Sequence, residues 1–261
     1  MNTFEIIEII KRRLGKFEES DKDNNKLLFG NEKAKINKIY FCWRLTSDIL
    51  KKLNPDKNTL IICHEPVLFK VRYSLTPEYN DNLIESNNEK LNLIKSSRIN
   101  IARFHLSLDS SPHGTTATLI KKLGLSEIKH FDYFSICKLR NTETAEDFLK
   151  KIKNLLKLSF INLAGDKNKK LKKILVIAGG GANKEFVSFA LSNECDAIIS
   201  GDSYMESKYL AYENNILLID IGHQNSEVPG VENFAKVIKN ELIGKNIKVD
   251  FIHNKEIETI F

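Results

Sequence analysis

The stretch TLIICHEP, residues 59–66, decides the fold of this chain. Its first half is short, apolar and β-branched, which is typical of a strand buried on both faces of a parallel sheet. Pro66 lacks a backbone donor and disfavours helix at the residue before it, so the strand ends in a turn. His64 and Glu65 are therefore predicted at the carboxyl end of a strand, where open α/β sheets place their binding sites.

The same arrangement recurs twice. A second apolar run ends at His105, with Asp109 four residues later, and a third ends at His223, with Glu227 four residues later. One His–Glu pair after a strand is more typical of a hydrogen-bonded loop, but three strand ends with His and a carboxylate are hard to assign to chance. Imidazole and carboxylate are the usual ligands of borderline divalent metals. The pattern predicts a metal site.

Composition and charge exclude several classes of protein. The chain has 261 residues, 42% of them apolar, and its 40 basic and 34 acidic residues give a net charge of +6. Five lysines fall within residues 167–173, but without the interleaved arginine and aromatic residues of nucleic-acid sites, so a solvated face or loop is expected. Nucleic-acid binding is not predicted, whereas an anionic substrate suits this charge.

The cysteine pattern and the absence of a membrane signal predict a cytoplasmic protein. The four cysteines form no Cys-x-x-Cys pair, and Cys63 beside His64 is interpreted as a packed thiol rather than a ligand. The first residues do not resemble a signal peptide, and no apolar run approaches the roughly 20 residues that a membrane span requires.

Strand and helix patterns alternate along the chain, which predicts an α/β fold with parallel crossovers. A first lobe is predicted at residues 1–127 and a second at 128–261. Residues 20–31 and 70–79 are interpreted as a loop and a connection. Strands are predicted at 36–41, 59–62, 99–104, 133–139, 174–178, 197–200, 216–221 and 247–252, and helices at 4–14, 46–53, 82–95, 117–123, 144–156, 185–191, 204–214 and 231–242.

The glycines at residues 179–181 have two interpretations. They stand between a predicted strand and a predicted helix, the layout that presents backbone N–H groups to a phosphate or carboxylate. The spacing matches neither Gly-x-Gly-x-x-Gly nor a P-loop, so the Rossmann and P-loop interpretations fail. The alternative is a tight turn from strand to helix.

Together these motifs resemble one family, the dinuclear-metal-centre hexameric proteins first named as an NGG-one-interacting factor and often catalogued as type-2 GTP cyclohydrolase I homologues. His64-Glu65-Pro66 resembles the family's His-His-Pro, and residues 105–109 resemble its His-Thr-x-x-Asp. Gly201-Asp202 resembles the start of its Gly-Asp-x-x-x-His, and residues 222–227 fit its Gly-His-x-x-Ser-Glu. The resemblance covers almost the whole chain, in the family's order.

The resemblance implies two interlocked three-layer α/β/α lobes with mostly parallel sheets, assembled as a toroidal homohexamer. It also implies two divalent metal ions per chain, with residues from about 220 to 261 returning to a metal site shared by the lobes. The implied ligands are His64, Glu65, Asp109, His223 and Glu227.

Two departures from the family pattern bear on this metal site. Glu65 stands where the family has its second histidine, and Glu206 stands where it has the histidine after Gly-Asp. One more carboxylate shifts the expected metal from zinc toward manganese, magnesium or iron. The two lost histidines also leave open a degenerate site that has lost one metal position.

The predicted chemistry is hydrolysis of a nucleotide-like or other small anionic substrate, because paired metals activate water. His105 or Glu206 could transfer the proton, although His105 could instead orient Asp109 and Glu206 could be an ordinary exposed residue. The alternative function is a non-catalytic metal-binding oligomeric scaffold or metal-handling protein, since no separate substrate-reading motif is present.

Overall fold

The computed structural model describes residues 1–15, 25–70, 84–255 and 257. Contacts divide the chain into two compact units, the first built from Met1–Leu108 and Phe234–Glu256 and the second mainly from Asp109–Asn233. Each unit contains one β-sheet with helices, so the predicted α/β class is confirmed. The predicted connection at 70–79 lies outside the described residues except for Lys70.

The elements follow in chain order. They are α1 (Thr3–Leu14), β1 (Lys26–Phe29), β2 (Lys38–Cys42), α2 (Ser47–Leu53), β3 (Thr59–Cys63), α3 (Glu85–Ser97), β4 (Asn100–Arg103), α4 (Leu106–Asp109), α5 (Thr115–Lys122), β5 (Ser126–Phe131), β6 (Phe134–Thr144), α6 (Ala145–Leu156), β7 (Asn162–Ala164), β8 (Lys170–Ile177), α7 (Lys184–Ser192), β9 (Ala197–Ser200), α8 (Met205–Glu213), β10 (Leu217–Asp220), α9 (His223–Glu241) and β11 (Lys248–Ile252).

The sheet of the first unit is mostly parallel. Its strand order is β1-β4-β3-β2-β11, and only the edge pair of β1 with β4 is antiparallel. All five residues of β3 are buried, as expected for an apolar strand with neighbours on both sides. The side chain of Thr46 caps α2, the crossover helix that returns the chain from β2 to β3.

The sheet of the second unit is mixed, which departs from the predicted mostly parallel arrangement. Its order is β5-β6-β8-β9-β10-β7, and only β8–β9 and β9–β10 are parallel pairs. Two strands are not predicted from the sequence: β5, whose residues are largely exposed, and β7, which has three residues. Neither strand carries the buried apolar run that identifies a central strand.

Two further predictions are corrected by the described residues. The segment 20–31 contains β1, which forms through pairing with the distant β4 and not through a local pattern; residues 16–24 lie outside the described part. The last helix begins at His223, not near residue 231, and continues through Pro229. Proline usually interrupts a helix, so the sequence pattern predicts a start after Pro229, which is too late.

Position 230, immediately after that proline, has room only for a glycine. A side chain at this position would place its Cβ 2.3 Å from the Cα of Thr115. Helix α9 therefore crosses the backbone at the start of α5 too closely for any other residue. None of the helices in the described ranges is long and apolar enough to cross a membrane.

Candidate metal centre

His64 is fixed at the end of the central strand of the first unit. Strands β3 and β4 run parallel in register, with Cys63 opposite Arg103, so the residues that follow them emerge at the same edge of the sheet. The His64 side chain is fully buried, and its Nδ1 lies 3.1 Å from the carbonyl oxygen of Phe104. Its ring centroid lies 4.8 Å from that of His105.

Glu65 is held by Arg44, a residue that no sequence motif singled out. Its Oε2 accepts a hydrogen bond from the guanidinium of Arg44 at 2.6 Å, and its Oε1 lies 3.9 Å from Nε2 of His105. The backbone N–H groups of His64 and Glu65 both donate to the carbonyl of Trp43, at 3.0 and 2.8 Å. Arg44 follows β2, the sheet neighbour of β3. The turn after β2 and the turn after β3 therefore hold each other in place.

His223 and Glu227 meet in the second unit because they are one turn apart at the start of α9. Nε2 of His223 lies 3.2 Å from Oε1 of Glu227, and its Nδ1 lies 2.6 Å from Oδ2 of Asp202. Asp202 follows β9, which runs parallel to the strand that precedes His223. An imidazole between two carboxylates is the arrangement in which one ring nitrogen can bind a metal while the other is oriented by hydrogen bonding.

The two carboxylates strongly affect the protonation of the imidazole. Burial lowers the pKa of His223, but hydrogen bonds with Asp202 and Glu227, and their charges, outweigh this and raise the pKa to about 11. Without a metal ion, the ring of His223 is therefore an imidazolium at neutral pH. A divalent cation would take the place of that proton.

The glycines at 179–181 leave room for the side chains of His223 and Glu227. A Cβ on Gly179 would lie 2.0 Å from Oε1 of Glu227 and 3.1 Å from Nε2 of His223, and the φ of Gly179 is +72°. The N–H of Gly179 donates to Ser226 and that of Gly181 to Ser200, at 2.8 and 3.2 Å. These two N–H groups are thus engaged within the unit, which favours the tight-turn interpretation over an anion cradle.

Asp109 and Glu206, the remaining predicted site residues, have different surroundings. Asp109 is buried at the end of α4 and accepts a hydrogen bond from the hydroxyl of Thr115 at 2.6 Å. Glu206 is exposed in the first turn of α8 and forms an ion pair of 2.7 Å with Lys184. The hydrogen bond with Lys184 is the main cause that lowers the pKa of Glu206.

Buried His, Glu and Asp side chains of this structure could hold a metal ion. Such side chains are present in both units: His64, Glu65 and His105 in the first, and Asp109 and Glu227 in the second. Four of these were predicted as ligands and one as a proton-transfer residue. The structure brings His223, the remaining predicted ligand, into contact with Glu227.

Comparison with known proteins agrees with these observations. Residues 1–257 match the model of the family described as Duf34/NIF3 (NGG1p interacting factor 3). The chain belongs to the Duf34/NIF3 family. The resemblance stated from the sequence motifs is thereby confirmed.

Relatives of this Duf34/NIF3 chain cover nearly its whole length. A "GTP cyclohydrolase 1 type 2 homolog" of Clostridium perfringens is 30% identical over 250 residues, which are 92% of this chain and 90% of that protein. One of the same name from Clostridium acetobutylicum is 27% identical over 232 residues, covering 85% and 84%. The solved structure of ybgI, described as of unknown function, has a TM-score of 0.82 at 20% identity and covers 98% of this chain and 99% of that one.

Proposed function

We propose that this Duf34/NIF3 protein is a metal-dependent hydrolase that binds two divalent metal ions and acts on a nucleotide-like or other small anionic substrate. The proposed ligands are His64, Glu65, Asp109, His223 and Glu227. One observation carries the proposal: each unit has a histidine and a carboxylate after a parallel strand, and a further side chain orients them. Arg44 contacts Glu65 in the first unit, and Asp202 contacts His223 in the second. Curated relatives bear the name GTP cyclohydrolase 1 type 2 homolog, which agrees with a hydrolytic reaction on a nucleotide.

The donor chemistry fits divalent ions. In His64 the contact of Nδ1 with the carbonyl of Phe104 selects Nε2 as the metal-binding nitrogen, and in His223 the contact with Asp202 does the same. Three carboxylates and two imidazoles make a harder donor set than the zinc sites rich in histidine. We therefore expect manganese, iron or magnesium to be preferred over zinc.

When bound, a pair of divalent ions lowers the pKa of a water molecule and stabilises negative charge in the transition state. The residues of the chain then hold the substrate and transfer the proton. Of the two predicted proton-transfer residues, His105 has the better support, because its side chain is half-buried and its Nε2 lies 3.9 Å from Glu65. Glu206 would first have to leave its ion pair with Lys184.

The family resemblance also leads us to propose a homohexamer. Light scattering during size-exclusion chromatography tests this directly, because a ring of six chains has six times the chain mass of 29.9 kDa. A monomer or dimer at micromolar concentration would contradict the assembly without affecting the proposed chemistry.

A turnover screen tests the hydrolase. Protein reconstituted separately with manganese, iron, magnesium and zinc is assayed against phosphoesters, nucleotides including GTP, and cyclic amides. The Glu227→Ala variant should lose turnover and keep its fold, whereas Glu213→Ala, which removes an exposed glutamate of α8, should retain both. No metal-dependent turnover across the panel would reject the hydrolase and leave the non-catalytic scaffold as the function.

A further inference from the structure

Lys90 is a buried cation of α3. Its side chain is 3% exposed, its Nζ donates to the carbonyl of Val67 at 2.5 Å, and the same atom lies 5.0 Å from the ring centroid of Phe69. Within the ranges that the structure describes, no aspartate or glutamate forms an ion pair with it. Buried lysines are rare, and those that occur are normally paired.

A second cation lies against the same aromatic ring. The guanidinium carbon of Arg44 is 5.6 Å from the ring centroid of Phe69, and the guanidinium binds Glu65. Burial is the main cause that lowers the pKa of Lys90, and the charge of Arg44 is the second. The contacts of Lys90 with one carbonyl and one ring compensate only part of the cost of burying an ammonium.

The carboxylate that contacts Arg44 is already engaged. Glu65 is the carboxylate that contacts Arg44, and in the proposed metal centre it also binds a cation. A negative group supplied from outside the chain would restore the balance around Lys90 and Arg44. Phe69 is 45% exposed and the Arg44 side chain 26% exposed, so such a group can reach Arg44 from solvent, with the more deeply buried Lys90 against the same ring.

We propose that Lys90 and Arg44 bind the phosphate group of a phosphate monoester. Arginine offers a planar fork of donors and lysine a compact charge, the two groups that proteins use for phosphate. A phosphate monoester carries nearly two negative charges at neutral pH and matches two cations, whereas a carboxylate carries one. Val67 follows Glu65 by two residues, which places the phosphate site beside the metal ligands of the first unit.

This inference names the substrate class of the proposed hydrolase. The reaction of a phosphate monoester rests on the proposed function, whereas binding of phosphate does not. The test therefore uses metal-free full-length protein, stripped with a chelator. Binding of inorganic phosphate is measured by calorimetry and by thermal unfolding, with sodium chloride keeping the ionic strength constant. The variants are Lys90→Met and Arg44→Gln, and the matched control is Lys95→Met, an exposed lysine of the same helix.

The expected result is that phosphate binds to the wild type and to Lys95→Met, and about tenfold or more weakly to Lys90→Met and Arg44→Gln. Without phosphate, Lys90→Met should melt no lower than the wild type, because it removes an unpaired buried charge. If Lys90→Met does not fold, phosphate binding by Arg44→Gln decides, because the Arg44 side chain is partly exposed. Equal phosphate binding by wild type and the two site variants, or acetate binding as tight as phosphate, would overturn the proposal. Failure of the hydrolase screen would not affect this measurement.

Discussion

Oδ2 of Asp202 lies 2.6 Å from Nδ1 of His223, and this contact directs the other ring nitrogen toward Glu227. The sequence alone showed Asp202 only as part of a Gly-Asp motif. In the structure, the hydrogen bond of Asp202 fixes the tautomer and the orientation of the His223 imidazole. This relationship leads to the first prediction.

Asp202→Ala should weaken metal binding about 10- to 100-fold, as is usual when the partner of a ligating histidine is removed. Because the His223 imidazolium loses one of its two carboxylate partners, the metal-free variant should also melt below the wild type at pH 7, although the side chain of Asp202 is half exposed. Competition with a chromogenic chelator measures the affinity. Glu206→Gln, four residues later in an exposed ion pair, is the control and should bind metal like the wild type.

Gly179→Ala should abolish metal binding, because the added Cβ would lie 2.0 Å from Oε1 of Glu227 and displace that carboxylate. Gly124→Ala is a matched control, since Gly124 also has a positive φ, +66°, but nothing within 4 Å of its added Cβ. Both variants should lose about 1 kcal/mol or more of stability from backbone strain. Normal metal affinity in Gly179→Ala would contradict the packing argument.

His105→Gln should lower kcat by about 100-fold or more if His105 transfers a proton, while the metal content stays unchanged. The measurements are turnover of the substrate found in the screen and metal content by elemental analysis. His113→Gln, which changes an exposed histidine, is the control. Loss of metal in His105→Gln would show instead that His105 is a ligand.

Metal binding near pH 8 should release about one proton from His223, because its pKa in the metal-free protein is raised to about 11 and the ligand must be neutral. Because the pKa of His223 is raised, its pairing with the two carboxylates stabilises the metal-free fold. This stabilisation is complete below pH 6.5, the ordinary pKa of histidine, and is lost as the pH rises toward 11. An indicator dye in weak buffer measures the release. Binding without proton release would contradict the assignment of His223 as a ligand.

The strands with continuous apolar runs were predictable from sequence. The bounds of β9, residues 197–200, coincide with the prediction, and β3 was extended only by Cys63. Such strands are identified by their own residues, because burial on both faces requires an apolar side chain at every position. The edge strands β1 and β7 pair with distant strands, so no local pattern predicted them, and β5, which pairs with the next strand β6, is largely exposed and lacks an apolar run.

The candidate ligands could also be predicted, because they follow strands with continuous apolar runs. The residues that support them could not. His64 and His223 stand at the ends of recognisable strands. Arg44 contacts Glu65, and Asp202 contacts His223, each from the end of a neighbouring strand; which strands are neighbours depends on the sheet order. The start of α9 was obscured because Pro229 and Gly230 are normally helix-ending residues.

Elemental analysis is the most direct test of the dinuclear metal centre. The protein is prepared without an affinity tag or chelator and compared with a His223→Ala/Glu227→Ala double variant. We expect about two divalent metal ions per chain in the wild type, largely lost in the double variant. Little metal in the wild type, even after reconstitution with manganese, iron and zinc, would contradict it.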